Sequence, residues 1–230
     1  MKRLFAFLLA CVCALALFGC AGANDDKSDG GPEDDTTPLT ETQIEEFKEL
    51  FASTADVTDE TTGEYRYTTP TPVSCFFTSH YDDPRDIDLA EFLRYCPLST
   101  TLGDVEEFHA VLDTLGIEDA ERFKVPDDWA VPVRRIPKSD VSALLMQWAD
   151  ITVDDLHDQE DAIYLAQYDA FYEFTSDFGP GYFIPVGGEQ YGDSIRLWSA
   201  PRGENGEGTH DELTLEVRPD GSYRIEAFRE

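Results

Sequence analysis

Asp82, Asp83, Asp86 and Asp88 gather four carboxylates around Pro84, and a hard cation such as calcium needs several oxygens of that kind. The spacing lacks the Asp-x-Asp-x-Asp-Gly run and the closing Glu of a calcium loop. Turn formation and N-capping already account for these side chains, so no metal site is expected. Asp154, Asp155, Asp158, Glu160 and Asp161 read the same way, as a solvated acidic face. His80, His109, His157 and His210 are scattered, and no two have the i, i+4 spacing of a helical zinc site. A nucleophilic serine motif, Gly-x-Ser-x-Gly or Ser-x-x-Lys, is missing. Cys75 does precede His80 by five residues, but on one extended segment an odd spacing sends the two side chains to opposite faces. No catalytic residue is assigned on this basis. No Gly-rich phosphate loop follows a strand, so no nucleotide or other cofactor is expected.

The aromatics Phe171, Tyr172, Phe174, Phe178, Tyr182 and Phe183 either line a ligand surface, as exposed aromatics do on recognition proteins, or cement helix to sheet. Between them Ser176 to Gly181 sets Asp177 beside Phe178 with glycine and proline following, a costly way to make a simple bend. Asp82, Asp177, Phe178 and Tyr182 are therefore the candidate ligand surface. Cys75 and Cys96 are either a disulfide or two buried free thiols. Outside the cytoplasm a bond closing a loop of this size contributes about 3 kcal/mol.

These residues need elements to hold them. Thr40 and Gln43 make a capping box ahead of Ile44, Phe47, Leu50 and Phe51 on one helical face. Thr54 to Pro72 reads as loop with a short extended piece around Tyr65 and Tyr67. Asp88 and Glu91 cap a helix burying Leu89, Phe92 and Leu93. A third helix runs from Asp104 to about Leu115, with Gly116 at its C′ position. Val131 to Ile136, bounded by Pro132 and Pro137, reads as an edge strand or extended connector. Ser139 to Ala149 is the clearest helix, with Val141, Leu144, Leu145 and Trp148 at i, i+3, i+4 and i+7. Thr152 and Asp155 open a further helical turn.

Ile163 to Phe178 fits two periods at once, and a helix beginning near Tyr168 is expected. From Tyr182 onward the period is two. Ile195 and Leu197, then Leu213, Leu215 and Val217, then Tyr223, Ile225 and Ala227 alternate with polar residues, joined by turns such as Pro219-Asp220-Gly221. Helices first and strands afterwards predict an α+β fold, several N-terminal helices packed on a C-terminal antiparallel four-stranded β-meander, all in one domain over 39–230.

The N-terminus carries a different kind of information. Lys2 and Arg3 precede an uncharged apolar run from Leu4 to Phe18, the pattern of a bacterial export signal. That run is shorter than the ~20 residues a membrane span needs. At its end Leu17-Phe18-Gly19-Cys20 resembles the lipobox of bacterial lipoproteins, with Phe18 where a small or β-branched residue is commoner. The resemblance implies that residues 1–19 are a signal peptide and that Cys20, the new N-terminus after cleavage, carries a diacylglyceryl group with its two acyl chains on the sulfur. Two chains hold firmly where one gives only reversible binding. Residues 20–38, rich in Gly, Thr, Pro and acids, read as a disordered tether reaching roughly 60 Å at about 3.4 Å per residue.

The later chain also resembles secreted or lipid-anchored bacterial proteins without an established activity, through Tyr81-Asp82-Asp83-Pro84, Arg135-Ile136-Pro137 and Ser176-Asp177-Phe178-Gly179-Pro180-Gly181. A formal net charge of -31 argues against nucleic acid and anionic headgroups as partners. With 41% hydrophobic residues the chain nevertheless has ample material for a core. The sequence thus predicts a lipoprotein anchored in the cell membrane and facing outside the cytoplasm, a non-enzymatic module binding a protein or small molecule. An extracellular carboxylate-dependent hydrolase is the alternative.

Overall fold

The computed structural model describes residues 36–118, 120–174, 179–203 and 208–230. The expected signal peptide, Cys20, most of the expected tether, Asp177 and Phe178 lie outside the described residues. In chain order the elements are β1 (Thr36–Pro38), α1 (Glu41–Leu50), β2 (Thr54–Thr58), β3 (Tyr65–Pro70), a 3₁₀ turn (Pro72–Phe77), α2 (Leu89–Arg94), β4 (Thr100–Thr101) and α3 (Val105–Thr114). There follow β5 (Arg134–Pro137), α4 (Lys138–Ala149), β6 (Ile163–Leu165), β7 (Ala170–Glu173), β8 (Pro185–Tyr191), β9 (Ser194–Ser199), β10 (Glu212–Val217) and β11 (Tyr223–Arg229).

Helix starts follow local chemistry. Thr40 Oγ1 accepts from Gln43 N–H while Gln43 Oε1 accepts from Thr40 N–H at 2.9 Å. Asp88 and Asp104 each accept from the backbone N–H three residues on, at 3.0 and 2.8 Å. Each bond satisfies a donor that the first helical turn leaves without an intrahelical partner. α3 ends at Gly116 with φ of +62°, where glycine carries no steric cost. α4 ends on Asp150, left-handed at φ of +56°, and Arg218 donates to its carboxylate at 2.7 Å.

Mixed helix and antiparallel sheet are as expected, but the strand count is not. The C-terminal sheet has five strands in the order β1-β8-β9-β10-β11. The meander β8 to β11 is the predicted one. β1 joins its outer edge, pairing Thr36 with Tyr191 and Pro38 with Glu189, and so takes the last three residues of the predicted tether. All three are exposed. They pair by backbone alone, which leaves no alternation of side chains to read.

A second, four-stranded sheet runs β4-β5-β7-β6. Val131–Ile136 reads as an edge strand or extended connector, yet β5 pairs on both sides, with β4 and with β7. Pro137 is tolerated because it ends the strand and caps α4. The expected helix near Tyr168 is a hairpin, β6 against β7, turning through Asp169 at φ of +47°. In the strand Phe171 and Tyr172 point to opposite faces, one into each of two cores. Thr54–Pro70 also forms a hairpin, β2 against β3, with Tyr65 and Tyr67 exposed.

The helices do not all pack on the meander. α1 lies against β8, and α4 lies between the sheets, touching β11 on one side and β5 on the other. α3 instead buries Phe108, Val111 and Leu112 in the smaller core with Val133 and Tyr172. The main core is aromatic: Phe51, Phe77, Phe183 and Phe228 meet at centroid distances of 5.3–5.9 Å, within the range where edge and tilted contacts are favourable.

Candidate functional site

Tyr182 to Val186 enters β8 as an extended segment in which both alternating sets are apolar. Phe183 and Pro185 go inward. Tyr182, Ile184 and Val186 are left 64, 41 and 51% exposed, although such residues are normally the ones withdrawn from water. They line a hollow of about 480 Å³, floored by Phe77 and walled by Tyr95 and Gly179 to Gly181. A contiguous apolar surface of this kind marks an interaction site more often than a scattered exposed residue does.

The hollow's shape depends on two glycines. Gly181 passes so close to the Ser74 carbonyl that a Cβ would clash with it and with the Phe77 backbone, and Gly179 lies on the Tyr95 ring. Val186 also lines a neighbouring concavity of about 830 Å³ with Leu39, Trp198 and the charged Glu41, Glu45 and Lys48. β1 stops at Glu189, and Leu39 N–H donates to Gly188 O at 2.9 Å. Beyond that point β8 has a sheet neighbour only on the β9 side among the described residues.

A charged cluster closes the other end. Asp211, 4% exposed, accepts from His80 Nε2 at 2.9 Å and from Arg202 Nη2, and its N–H donates to Ser199 Oγ at 2.9 Å. Burial pushes the Asp211 carboxyl up, but Arg202 and then His80 outweigh it and hold the group below its ordinary value of 3.8. A carboxylate only accepts, so His80 carries its proton on Nε2. The depressed value means that this cluster stabilises the fold fully above the ordinary carboxylate range and is lost as pH falls through the lower folded value. Asp211→Asn is expected to lower stability by about 1–3 kcal/mol near neutrality, with the gap to wild type closing toward pH 3. Urea midpoints of both chains across pH 3–7 check this, and a gap that does not narrow would count against it.

The four aspartates around Pro84 do not converge. Asp82 pairs with Arg229, Asp83 with Arg85, Asp86 accepts from His157 at 2.8 Å, and Asp88 caps α2. The Arg85 guanidinium beside Asp83 holds its carboxyl at about 2. Asp82 lines a separate concavity of about 890 Å³ with Arg85, Arg196, Arg224 and Glu226, charges that are themselves paired. The predicted ligand surface is therefore split between two hollows: Tyr182 belongs to one, Asp82 to the other. Among the described residues no three His, Cys, Asp or Glu side chains are placed to share a metal ion.

Cys75 and Cys96 are free thiols buried side by side in the main core. Contact with Cys96 and then burial push the Cys75 thiol well up, the opposite of an activated nucleophile. His80 is turned to Asp211 instead. Asp211, Arg202, Ile184 and Val186 escaped the sequence reading. The signal for the last two was present, since Tyr182 to Val186 offers apolar residues in both phases and only one phase can face the core.

Comparison of the chain with family models, with curated proteins and with solved structures finds no match. Among the described residues no helix is long and apolar enough to cross a membrane.

Proposed function

We propose that the protein is a non-enzymatic binding module, held outside the cytoplasm by acyl chains on Cys20, which takes an extended peptide or similar apolar ligand in the Tyr182–Val186 hollow. The observation that carries the binding reading is the stripe Tyr182, Ile184, Val186, three exposed apolar side chains on one face of one extended segment. Beside the stripe β8 lacks a β1 partner from Gly187 back to Pro185 among the described residues, and the stripe supplies side-chain contacts, the setting in which an extended ligand lies along a strand edge. The net charge of -31 makes a basic or neutral partner favourable and nucleic acid unfavourable.

Ile184→Asp places a charge in the middle of the stripe at an already exposed position, so its stability should stay within about 0.5 kcal/mol of wild type. On an array of immobilised peptides and cell-wall glycan fragments, the wild-type chain is expected to retain a defined set. The variant should bind that set at least about tenfold more weakly, the equivalent of about 1.4 kcal/mol. An unchanged profile, or no retention by wild type, would overturn the reading. The anchor has its own test: Cys20→Ser should abolish labelling by an alkynyl fatty acid, and undiminished labelling in that variant would refute lipid attachment.

One observation favours the alternative, an extracellular carboxylate-dependent hydrolase. Asp211 and His80 form a carboxylate–imidazole pair, the arrangement that orients a general base. What weakens it is that, among the described residues, no hydroxyl or thiol is hydrogen-bonded to His80. The Ser199 hydroxyl contacts Asp211 and the Ala200 carbonyl rather than His80.

A further inference from the structure

The floor of the hollow and one of its walls come from segments that each carry a cysteine. The 3₁₀ turn Pro72–Phe77 carries Cys75 two residues before Phe77, and Cys96 follows Tyr95 directly after α2. Phe77 and Tyr95 both line the hollow. Phe76 and Phe92 lock the two segments edge to face, with centroids 5.2 Å apart. Both cysteines are withdrawn from solvent, at 2 and 3% exposure, in the same core cluster, and each thiol shifts the ionisation of the other. Two thiols in one packed core, on segments held against each other by the adjoining Phe76 and Phe92 rings, are the arrangement from which a disulfide forms.

We propose that Cys75 and Cys96 are an oxidation site whose disulfide staples the floor of the hollow to its Tyr95 wall. The oxidant is a second disulfide, that of a thiol–disulfide oxidoreductase or of oxidised glutathione. One cysteine sulfur, as thiolate, attacks it, forming a mixed disulfide and releasing one oxidant sulfur. The other cysteine sulfur then attacks the mixed disulfide, forming the Cys75–Cys96 bond and releasing the oxidant's second sulfur. The oxidant gains two electrons, and the two protons given up by the cysteines end on its two sulfurs. Burial sets the timing. The exchange happens while the chain is folding, before the Phe76–Phe92 contact closes, and the finished bond is then shielded from reductant.

The bond itself requires only an oxidising surrounding, whereas its consequence for ligand binding rests on the proposed function. Its test is made on the full chain, refolded with oxidised glutathione, unfolded, alkylated and digested with trypsin. The expected product is the peptide Tyr67–Arg85 joined to the peptide Tyr95–Arg122, lighter by two hydrogens than the free pair and separated by reductant. Reduction should lower the thermal midpoint by about 6–12 °C. Cys75→Ser should leave Cys96 alkylated. Recovery of both cysteines alkylated in the refolded wild-type chain, or of either joined to Cys20 or to glutathione, would overturn the proposal whether or not the serine variant folds. If the linked peptides appear while Ile184→Asp binds the same array as wild type, the staple stands and the hollow's role falls.

Discussion

Replacing Arg135 by methionine is expected to lower stability by about 2–4 kcal/mol, because it leaves a buried carboxylate without its cation. Glu107 projects from α3 into the smaller core at 7% exposure. There it accepts from Arg135 Nε at 2.8 Å and from the Tyr172 hydroxyl, while Arg135 Nη2 donates to Tyr168 O at 3.0 Å. The network ties α3 to β5 and β7, and Glu107 pushes the Arg135 guanidinium up from its ordinary value. Glu107→Gln added to Arg135→Met should recover part of the loss, since an amide costs less to bury than a charge. A double-mutant cycle by urea denaturation measures the coupling. Independent, additive losses would show that the pair does not hold α3 to its sheet.

Phe77→Ala should cost about 3–5 kcal/mol. The ring lies 5.9 Å from Phe51, 5.5 Å from Phe183 and 5.3 Å from Phe228, so truncation opens a cavity where the first helix, the β8 segment and β11 meet. It also removes the floor of the hollow. Phe77→Leu keeps most of the volume and should cost less than half as much. If Phe77→Ala unfolds at the wild-type denaturant midpoint, the aromatic cluster is not the keystone its geometry makes it.

The two substitutions lie in different cores, and their legibility differed accordingly. Phe77 reads as an apolar residue in a short apolar run from the sequence. Nothing local shows that it meets Phe228 or lies under Tyr182. Arg135 and Glu107 look like ordinary surface charges until β5 is found between two neighbours instead of at an edge. The aromatic stretch Ile163–Phe178 fits a helix and a strand equally well in periodicity. Pairing of β7 with β5 decided for the strand, a contact across more than thirty residues that no local pattern encodes. The residues of the candidate ligand surface do not share one hollow. Tyr182 was singled out and lines the hollow, while Asp82, singled out with it, faces a different concavity.

By itself the sequence determined the helix caps at Thr40, Asp88 and Asp104, the Gly116 helix end, the Gly221 turn and the alternation of the C-terminal strands. All of these are settled by bonds or steric limits spanning a few residues, so a short window contains both partners. Tertiary structure alone decided that β1 would close the sheet, that Cys75 would meet Cys96 and that His80 would reach Asp211, 131 residues away. It also decided which apolar phase of Tyr182–Val186 would be buried. The core could accept only one phase, and the packing of Phe183 against Phe77 and Phe228 left Tyr182, Ile184 and Val186 facing out.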